Sequence, residues 1–494
     1  MKKTIFNVIL AFSFIILSIV LVITLNFYKI KDNSDKVVKI QRSKDDFGFN
    51  LPIVVINTGN EKLNRDKKVR GDIKIFNNEE KVLNYLSDEP ELVSDINIKI
   101  RGNSSANYPK LQYSIELIKE NGEKRNKKVI DMPKESDWVL NGPFADKSLI
   151  RNYLAYSVSR EIMEYAPRTK FCEVFVINDG GNDIKKEHYK GLYLMIEKIK
   201  IGDDRVDINE RYKESDQTSF IASKDRVKND VEFRTYGKQT YIYDNGVISR
   251  YPNEKIITEG NVDYINREIS KFERVLYGEK FNDQKEGFRK YIDENTFIDY
   301  YIINEFFQNT DAGVFSTYFY KDYGDKIKAG PVWDFNIAMG NNTVTGDYYI
   351  SDGFYMNQTS WFDRLLEDKL FVTSLIGRYK ILRNTYLSDE YLLKKIDDAV
   401  KEIDEAKNRN FSVWPIELCN EAEAFVKYGG INFKELNNNP QKLKEYFKEN
   451  PKYSKANKSQ AITYEEEIEK LKGFLIQRGK WLDENIEKLY KWTK

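Results

Sequence analysis

In the stretch NEFFQNTDAGVFSTYFYKDYGDKIKAGPVWDF, Asp311 follows the end of an apolar helix pattern, and Asp334 follows the return strand of a hairpin pattern that turns at Gly324. A hairpin brings its two ends together, so the two carboxylates are expected to be spatial neighbours. Two carboxylates at the open end of one hairpin suit Mg2+, with water and substrate phosphates completing the octahedron. They also suit a division of labour: one acid orients a hydroxyl nucleophile while the other holds the metal on the phosphates, as phosphoryl transfer requires. Two turn acids that cap loops fit the same spacing, because aspartate is common in turns. Phosphates need cations as well. Arg101 opens the loop RGNSS, whose small residues let backbone N–H groups approach an anion, and Lys110 starts the next strand in position to reach the same region. Surface or structural roles fit these two cations equally. Arg151 and Lys147 fall on the helix that follows, where Arg151 also fits a buried structural role.

Composition narrows the chemistry. Lys and Arg number 79 against 78 Asp and Glu, so no concentrated basic footprint marks a nucleic-acid binder. Two cysteines, Cys172 and Cys419, allow one disulfide and exclude a cysteine framework or a cysteine-rich zinc site. The single histidine, His188, lies in the charged run DIKKEHYKG and reads as an exposed loop residue. Chemistry must therefore run mainly on carboxylates and lysines, with room for a hard metal ion.

The elements that must position these residues fall into two parts. LPIVVINTG, SDINIKIRG, FCEVFVIND and KGLYLMIEKI read as strands, and QYSIELIKENGEKRNKKVI reads as a hairpin about Asn-Gly. DKSLIRNYLAYSVSREIM reads as a helix capped by Asp146 or Ser148, with Leu149, Tyr153, Leu154 and Val158 as its apolar stripe. The first 200 residues thus predict a mostly antiparallel sheet with one helix. Beyond them helices dominate, interrupted by the hairpin that carries the two acids, and segments 210–260 and 430–460 read as charged, irregular insertions or surface loops. The fold class expected is α+β, in the two-lobed outline of a protein kinase, an outline other α+β arrangements share. The expected boundaries are a membrane anchor at 1–29, a linker at 30–50, a strand-rich N-lobe at 51–208 and a helix-rich C-lobe with the catalytic hairpin at 209–494. The apolar run Ile5–Phe27 is long enough to cross a bilayer of roughly 30 Å, and no Ala-x-Ala cleavage pattern follows it. The balance of flanking lysines and arginines places the main domain in the cytoplasm, whereas a leading Lys-Lys anchor often runs the other way.

Several separated motifs together resemble the CotH family of spore-coat atypical protein kinases: RGNSS at 101–105, MPKESDWVLNGPFADKSLIRNYLA at 132–155, GLYLMIEKIK at 191–200, NEFFQNTDAG at 304–313, GPVWDFNIAMGN at 330–341 and WLDEN near the end. The resemblance implies a kinase-like fold and phosphorylation of protein serines with ATP and Mg2+ or Mn2+. It implies that Asp311 is the catalytic acid and Asp334 the metal-binding acid, with Trp333 stacked on the adenine, Tyr193 on its other face and Glu197, with Lys198, at a hinge; a core tryptophan at 333 and simple strand-end charges at 197 and 198 fit the same residues. The expected partner is a serine-rich protein, at the membrane and in the spore coat or on the cell surface. Two departures stand out. Asn336 replaces the final acid of the family's Trp-Asp-Phe-Asp, leaving an uncharged oxygen for the metal, and FIASKDR has Ser223 and Lys224 where a lysine is expected one position earlier. Transfer of AMP on the same scaffold, and a non-enzymatic coat or surface assembly protein with a degenerate kinase fold, are the alternatives.

Overall fold

The computed structural model describes residues 47–78, 82–103, 105–211, 213–228, 230–237, 245–342, 348–416 and 461–494. Seven strands close a barrel: β1 (Ile53–Asn57), β2 (Val69–Phe76), β3 (Leu92–Arg101), β4 (Gln112–Ile118), β7 (Asp137–Asn141), β8 (Thr169–Ile177) and β9 (Tyr189–Glu197), in the order β1-β2-β3-β4-β7-β9-β8. Every neighbouring pair is antiparallel except β1 with β8, which run parallel and complete the ring. Alternation along β3 sends Leu92, Ile96, Ile98 and Ile100 into the interior, where they meet Ile115, Trp138 and Val174. Strands β8 and β9 lack that alternation because both faces are covered. Cys172, Val174, Tyr193 and Met195 face the barrel, while Phe171, Leu192, Leu194 and Ile196 join the larger core made with the helices. Beside the barrel, β5 (Lys127–Val129) and β6 (Met132–Glu135) pair with each other.

A second sheet has the order β11-β12-β10-β13-β14, from β10 (Phe220–Asp225), β11 (Glu232–Phe233), β12 (Gly246–Tyr251), β13 (Thr317–Lys321) and β14 (Lys328–Ala329). The helices are α1 (Arg151–Ser159), α2 (Glu259–Leu276), α3 (Glu294–Phe306), α4 (Phe362–Leu365), α5 (Lys369–Arg383), α6 (Asp389–Glu402), α7 (Asp404–Val413) and α8 (Tyr464–Asn485). Helix α3 is apolar on almost every side and is buried accordingly, its first turn capped by the Asp293 carboxylate. From Gly48 to Lys494 the described chain packs as one unit.

The α+β class is borne out, and several local expectations are corrected. The expected sheet of the first 200 residues closes into a barrel. Segment 210–260 is no irregular insertion: it supplies β10, β11, β12 and the start of α2. Its strands carry buried polar residues whose groups find partners, such as Ser223 with Arg250, and these hide the apolar alternation. After the Asn121-Gly122 turn the chain touches β4 only briefly, through Ile118 and Lys124, before pairing within β5–β6, so β7 becomes the neighbour of β4. Leu149 precedes α1 in a left-handed conformation instead of joining its stripe. His188 is 3% exposed, its Nδ1 accepting from the Lys185 N–H and its Nε2 lying 3.3 Å from Asp179. Cys172 is a free, buried thiol, and Cys419 lies outside the described residues. So do the expected membrane segment Ile5–Phe27, nearly all of the linker and segment 430–460. Among the described residues no helix is long and apolar enough to cross a membrane.

Candidate active site

Antiparallel pairing gathers three chain segments at one end of the second sheet. Lys224 on β10 lies opposite Thr317 on β13, and Phe319 on β13 lies opposite Ala329 on β14. The exit of β10 at Asp225-Arg226, the turn that feeds β13 at Asp311–Ser316 and the exit of β14 toward Trp333-Asp334 therefore lie together. Asp311 begins a tight turn: its carbonyl accepts from Phe315 N–H at 2.7 Å and Val314 N–H at 3.2 Å. Asn309 ties this turn to the other acid's loop, its Nδ2 donating to the carbonyl of Trp333 at 3.4 Å.

Helix α1 fixes the second acid. Asp334 has a φ of 63°, in the left-handed region that costs a non-glycine residue about 1 kcal/mol or more. Its N–H donates to the Tyr156 hydroxyl at 3.1 Å, and the N–H of Phe335 donates to Asn152 Oδ1 at 2.8 Å. Asn152 and Tyr156 stand four residues apart on one helix face, so a single turn of α1 holds two successive amides. Arg151 extends the grip, donating from Nε to the Ala338 carbonyl at 3.1 Å, and is itself buried between Asp146 and Glu467.

The electrostatics match a desolvated pair of acids. Burial, then the like charge of Asp334, pushes the Asp311 carboxyl up to about 6; Arg226 opposes the rise and Asp225 adds to it. Burial also raises Asp334, against the pull of Arg101 and Arg226. Asp334 in turn helps hold the Tyr156 phenol protonated, after burial. Two neighbouring carboxylates raised in this way are relieved by a divalent cation, and the oxygens of Asp311, Asp334 and Asn336 are hard donors suited to Mg2+. Among the described residues, no three or more His, Cys, Asp or Glu side chains are grouped so that they could hold a metal.

The expected site residues divide into two sets. Arg101, at the end of β3, donates to Gln112 Oε1 at 3.0 Å and lies 5.5 Å from the centre of the Trp333 ring, so it joins Trp333 and the acids. Trp333 is 8% exposed and packs against Tyr156 at 5.8 Å and Tyr318 at 6.3 Å between ring centres. Asn336 is half-buried two residues beyond Asp334, its backbone oxygen accepting from Asn341 at 2.7 Å. Lys110, Tyr193 and Glu197 are held elsewhere. Lys110 is buried, donating to the Leu192 carbonyl at 2.6 Å and Asn410 Oδ1 at 2.7 Å, and sits 4.9 Å from the Tyr193 ring. Tyr193 lies in the barrel interior, stacked on Tyr113 and donating to the Leu111 carbonyl at 2.8 Å. Glu197 is fully buried and accepts from Arg168 and Tyr165, with Arg205 3.4 Å away.

Sequence reading missed Asn152, Tyr156, Tyr318, Asp225, Arg226 and Arg250. Parity was the available signal for two of them, Asp225 and Arg250. Ser223 and Asp225 share one face of β10, and Arg250 reaches across from β12 to both, donating at 2.9 Å to each.

Residues 98–482 match the family model described as CotH kinase protein. The chain belongs to the CotH family. The matched span covers Arg101, α1, the second sheet and both acids, and leaves out β1 and β2. A comparison with curated proteins finds no match. In this CotH family member the acid pair and the helix that grips it therefore lie wholly inside the family's shared region.

Proposed function

We propose that this CotH family member is an atypical protein kinase, moving the γ-phosphoryl group of ATP to serine hydroxyls of a protein. In this reading the barrel and α1 serve as the N-lobe and the remaining helices as the C-lobe of a kinase-like arrangement. The observation that carries the proposal is the convergence of Asp311 and Asp334 at the open end of the β13–β14 hairpin, both half-buried and both raised by burial from the ordinary aspartate value, Asp311 to about 6. Asp311, ionised above about pH 6, orients the serine hydroxyl and takes its proton. Asp334, with the amide oxygen of Asn336, holds the divalent cation. That cation, when bound with ATP, neutralises phosphate charge and aligns the transferring group. Arg101 adds positive charge beside Asp334, and the Trp333 indole offers its flat face to the adenine. Lys110, Tyr193 and Glu197, also expected at the nucleotide, would have to exchange their present partners to reach it. The family resemblance points to the spore coat or cell surface as the setting, with Ile5–Phe27 as the anchor.

The test is incubation of the purified chain with labelled ATP, Mg2+ or Mn2+ and serine-rich acceptor proteins, followed by intact-mass measurement. Phosphate adducts are expected, and AMP adducts would move the assignment to nucleotidyl transfer. Asp311→Ala and Asp334→Ala should each abolish labelling, and label that persists in both refutes the site. Asn336, an amide in place of an acid, favours one second reading, a non-enzymatic assembly protein. A chain whose melting temperature does not move at millimolar ATP and Mg2+ would support it.

A further inference from the structure

Arg226 stands apart from the other cations near the acids. It is exposed at the exit of β10, and its guanidinium carbon lies 3.9 Å from the centre of the Phe315 ring. Phe315 belongs to the turn of Asp311, closing it with a 2.7 Å backbone hydrogen bond. An aromatic face holds a guanidinium plane without consuming its N–H donors. The neighbouring acid is already engaged: Asp225 Oδ2 accepts from Arg250 at 2.9 Å, and its Oδ1 accepts from the backbone N–H of Arg226 at 2.9 Å. Among the described residues no carboxylate lies within 4.0 Å of the Arg226 guanidinium nitrogens. Yet the charge of Arg226 is felt by both Asp311 and Asp334, whereas Arg101 acts on Asp334. The register of β10 against β13 puts Arg226 at the same end of the second sheet as the turn of Asp311, and no carboxylate among the described residues takes up its guanidinium donors.

We propose that Arg226 is a further catalytic residue, whose guanidinium contacts the phosphoryl group while it is being transferred. The inference rests on the kinase reading and assigns a role that reading leaves open. In the step, Asp311 takes the proton from the serine hydroxyl as the serine Oγ–phosphorus bond forms. The bond from phosphorus to the β,γ-bridging oxygen breaks, and its electron pair leaves with ADP. Negative charge spreads over the oxygens of the moving group, and Arg226 meets it there. Arg101, beside Trp333 and Asp334, stays with the nucleotide in the ground state. The two arginines therefore differ in when they act.

The difference is measurable by binding. In calorimetry on the full chain with Mg2+, ADP is compared with ADP plus aluminium fluoride, a planar mimic of the transferring phosphoryl group. The wild-type chain is expected to bind the fluoride complex at least about 30-fold more tightly than ADP, a conservative share of what a transition-state arginine supplies. Arg226→Ala should keep the ADP affinity within about threefold and lose most of that tightening, with Arg226→Lys in between, because an ammonium lacks the planar fork. Arg226 is exposed, so its melting temperature should stay close to wild type. Equal tightening in wild type and Arg226→Ala overturns the proposal. So does an equal loss of ADP affinity, which would make Arg226 a ground-state contact. A wild-type chain that binds no adenine nucleotide overturns the kinase reading itself, and the arginine's role with it.

Discussion

Asp311 holds its proton up to about pH 6, and both its chemistry and its cost follow from that. Transfer should therefore rise through pH 6 and level off above pH 7, and a rate profile in which the acidic limb is absent would remove Asp311 as the base. The sign for stability is the reverse. Between the ordinary carboxylate value near 4 and about 6 the folded state keeps a proton that the unfolded state has lost, so stability falls as pH rises across that window and the penalty is complete above it. Asp311→Asn should accordingly be inactive yet more stable than wild type at pH 7.5, by roughly 1–2 kcal/mol after allowance for partial exposure, with the two melting curves converging below pH 4. Asn336→Asp tests the neighbouring position. A restored charge beside Asp334 should lower the Mg2+ concentration for half-maximal activity several-fold, and an unchanged requirement would place residue 336 outside the metal's reach.

Helix α1 is the element on which the position of Asp334 depends. Tyr156→Phe removes the acceptor of the Asp334 N–H and keeps the ring that packs on Trp333 and Phe335. An unpaired, partly buried amide costs about 1–3 kcal/mol. The loop can relieve that cost by leaving its left-handed conformation, so Mn2+ affinity measured with a non-hydrolysable nucleotide should weaken by about tenfold. A variant that loses stability while binding Mn2+ normally would reduce Tyr156 to a packing role. The same helix shows why the site was only partly legible in the sequence. The proximity of Asp311 and Asp334 is legible because a hairpin brings its ends together regardless of what surrounds it. The roles of Asn152 and Tyr156 are not, because their partners are backbone amides nearly two hundred residues away. The position of Lys110 after RGNSS and the motif around Tyr193 and Glu197 point to nucleotide contacts. Local sequence does not reveal that the barrel closes and hands Lys110 to Asn410 and Glu197 to Arg168.

At the scale of the whole molecule, the strands and the one helix of the first 200 residues are visible as apolar runs and turn signals, although α1 starts behind Ile150 with no side-chain cap instead of behind Asp146 or Ser148. Closure of the barrel is not visible, because it depends on one long-range parallel pairing, β1 with β8. The strands β10–β12 were hidden by polar residues that are satisfied only once the second sheet forms. Distant parts of the chain are tied to the site through Arg151, which is buried between Asp146 at 2.7 Å and Glu467 of α8 at 2.6 Å. Removing one partner of such a group leaves a charge unpaired in the interior, so Glu467→Ala should cost about 3–5 kcal/mol in chemical denaturation. A loss under about 1 kcal/mol would mean that α8 contributes little to holding α1 in place.

The most direct measurement is the anomalous scattering of Mn2+ in crystals grown with a non-hydrolysable ATP analogue. The expected result is a Mn2+ peak about 2.0–2.2 Å from an Asp334 oxygen, bridged to the nucleotide phosphates, with the Asp311 carboxylate facing the terminal phosphorus. Mn2+ and nucleotide bound away from Asp334, or an Asp311 carboxylate turned from the phosphates and well over roughly 12 Å from that of Asp334, would contradict the convergence of the two acids on one cation.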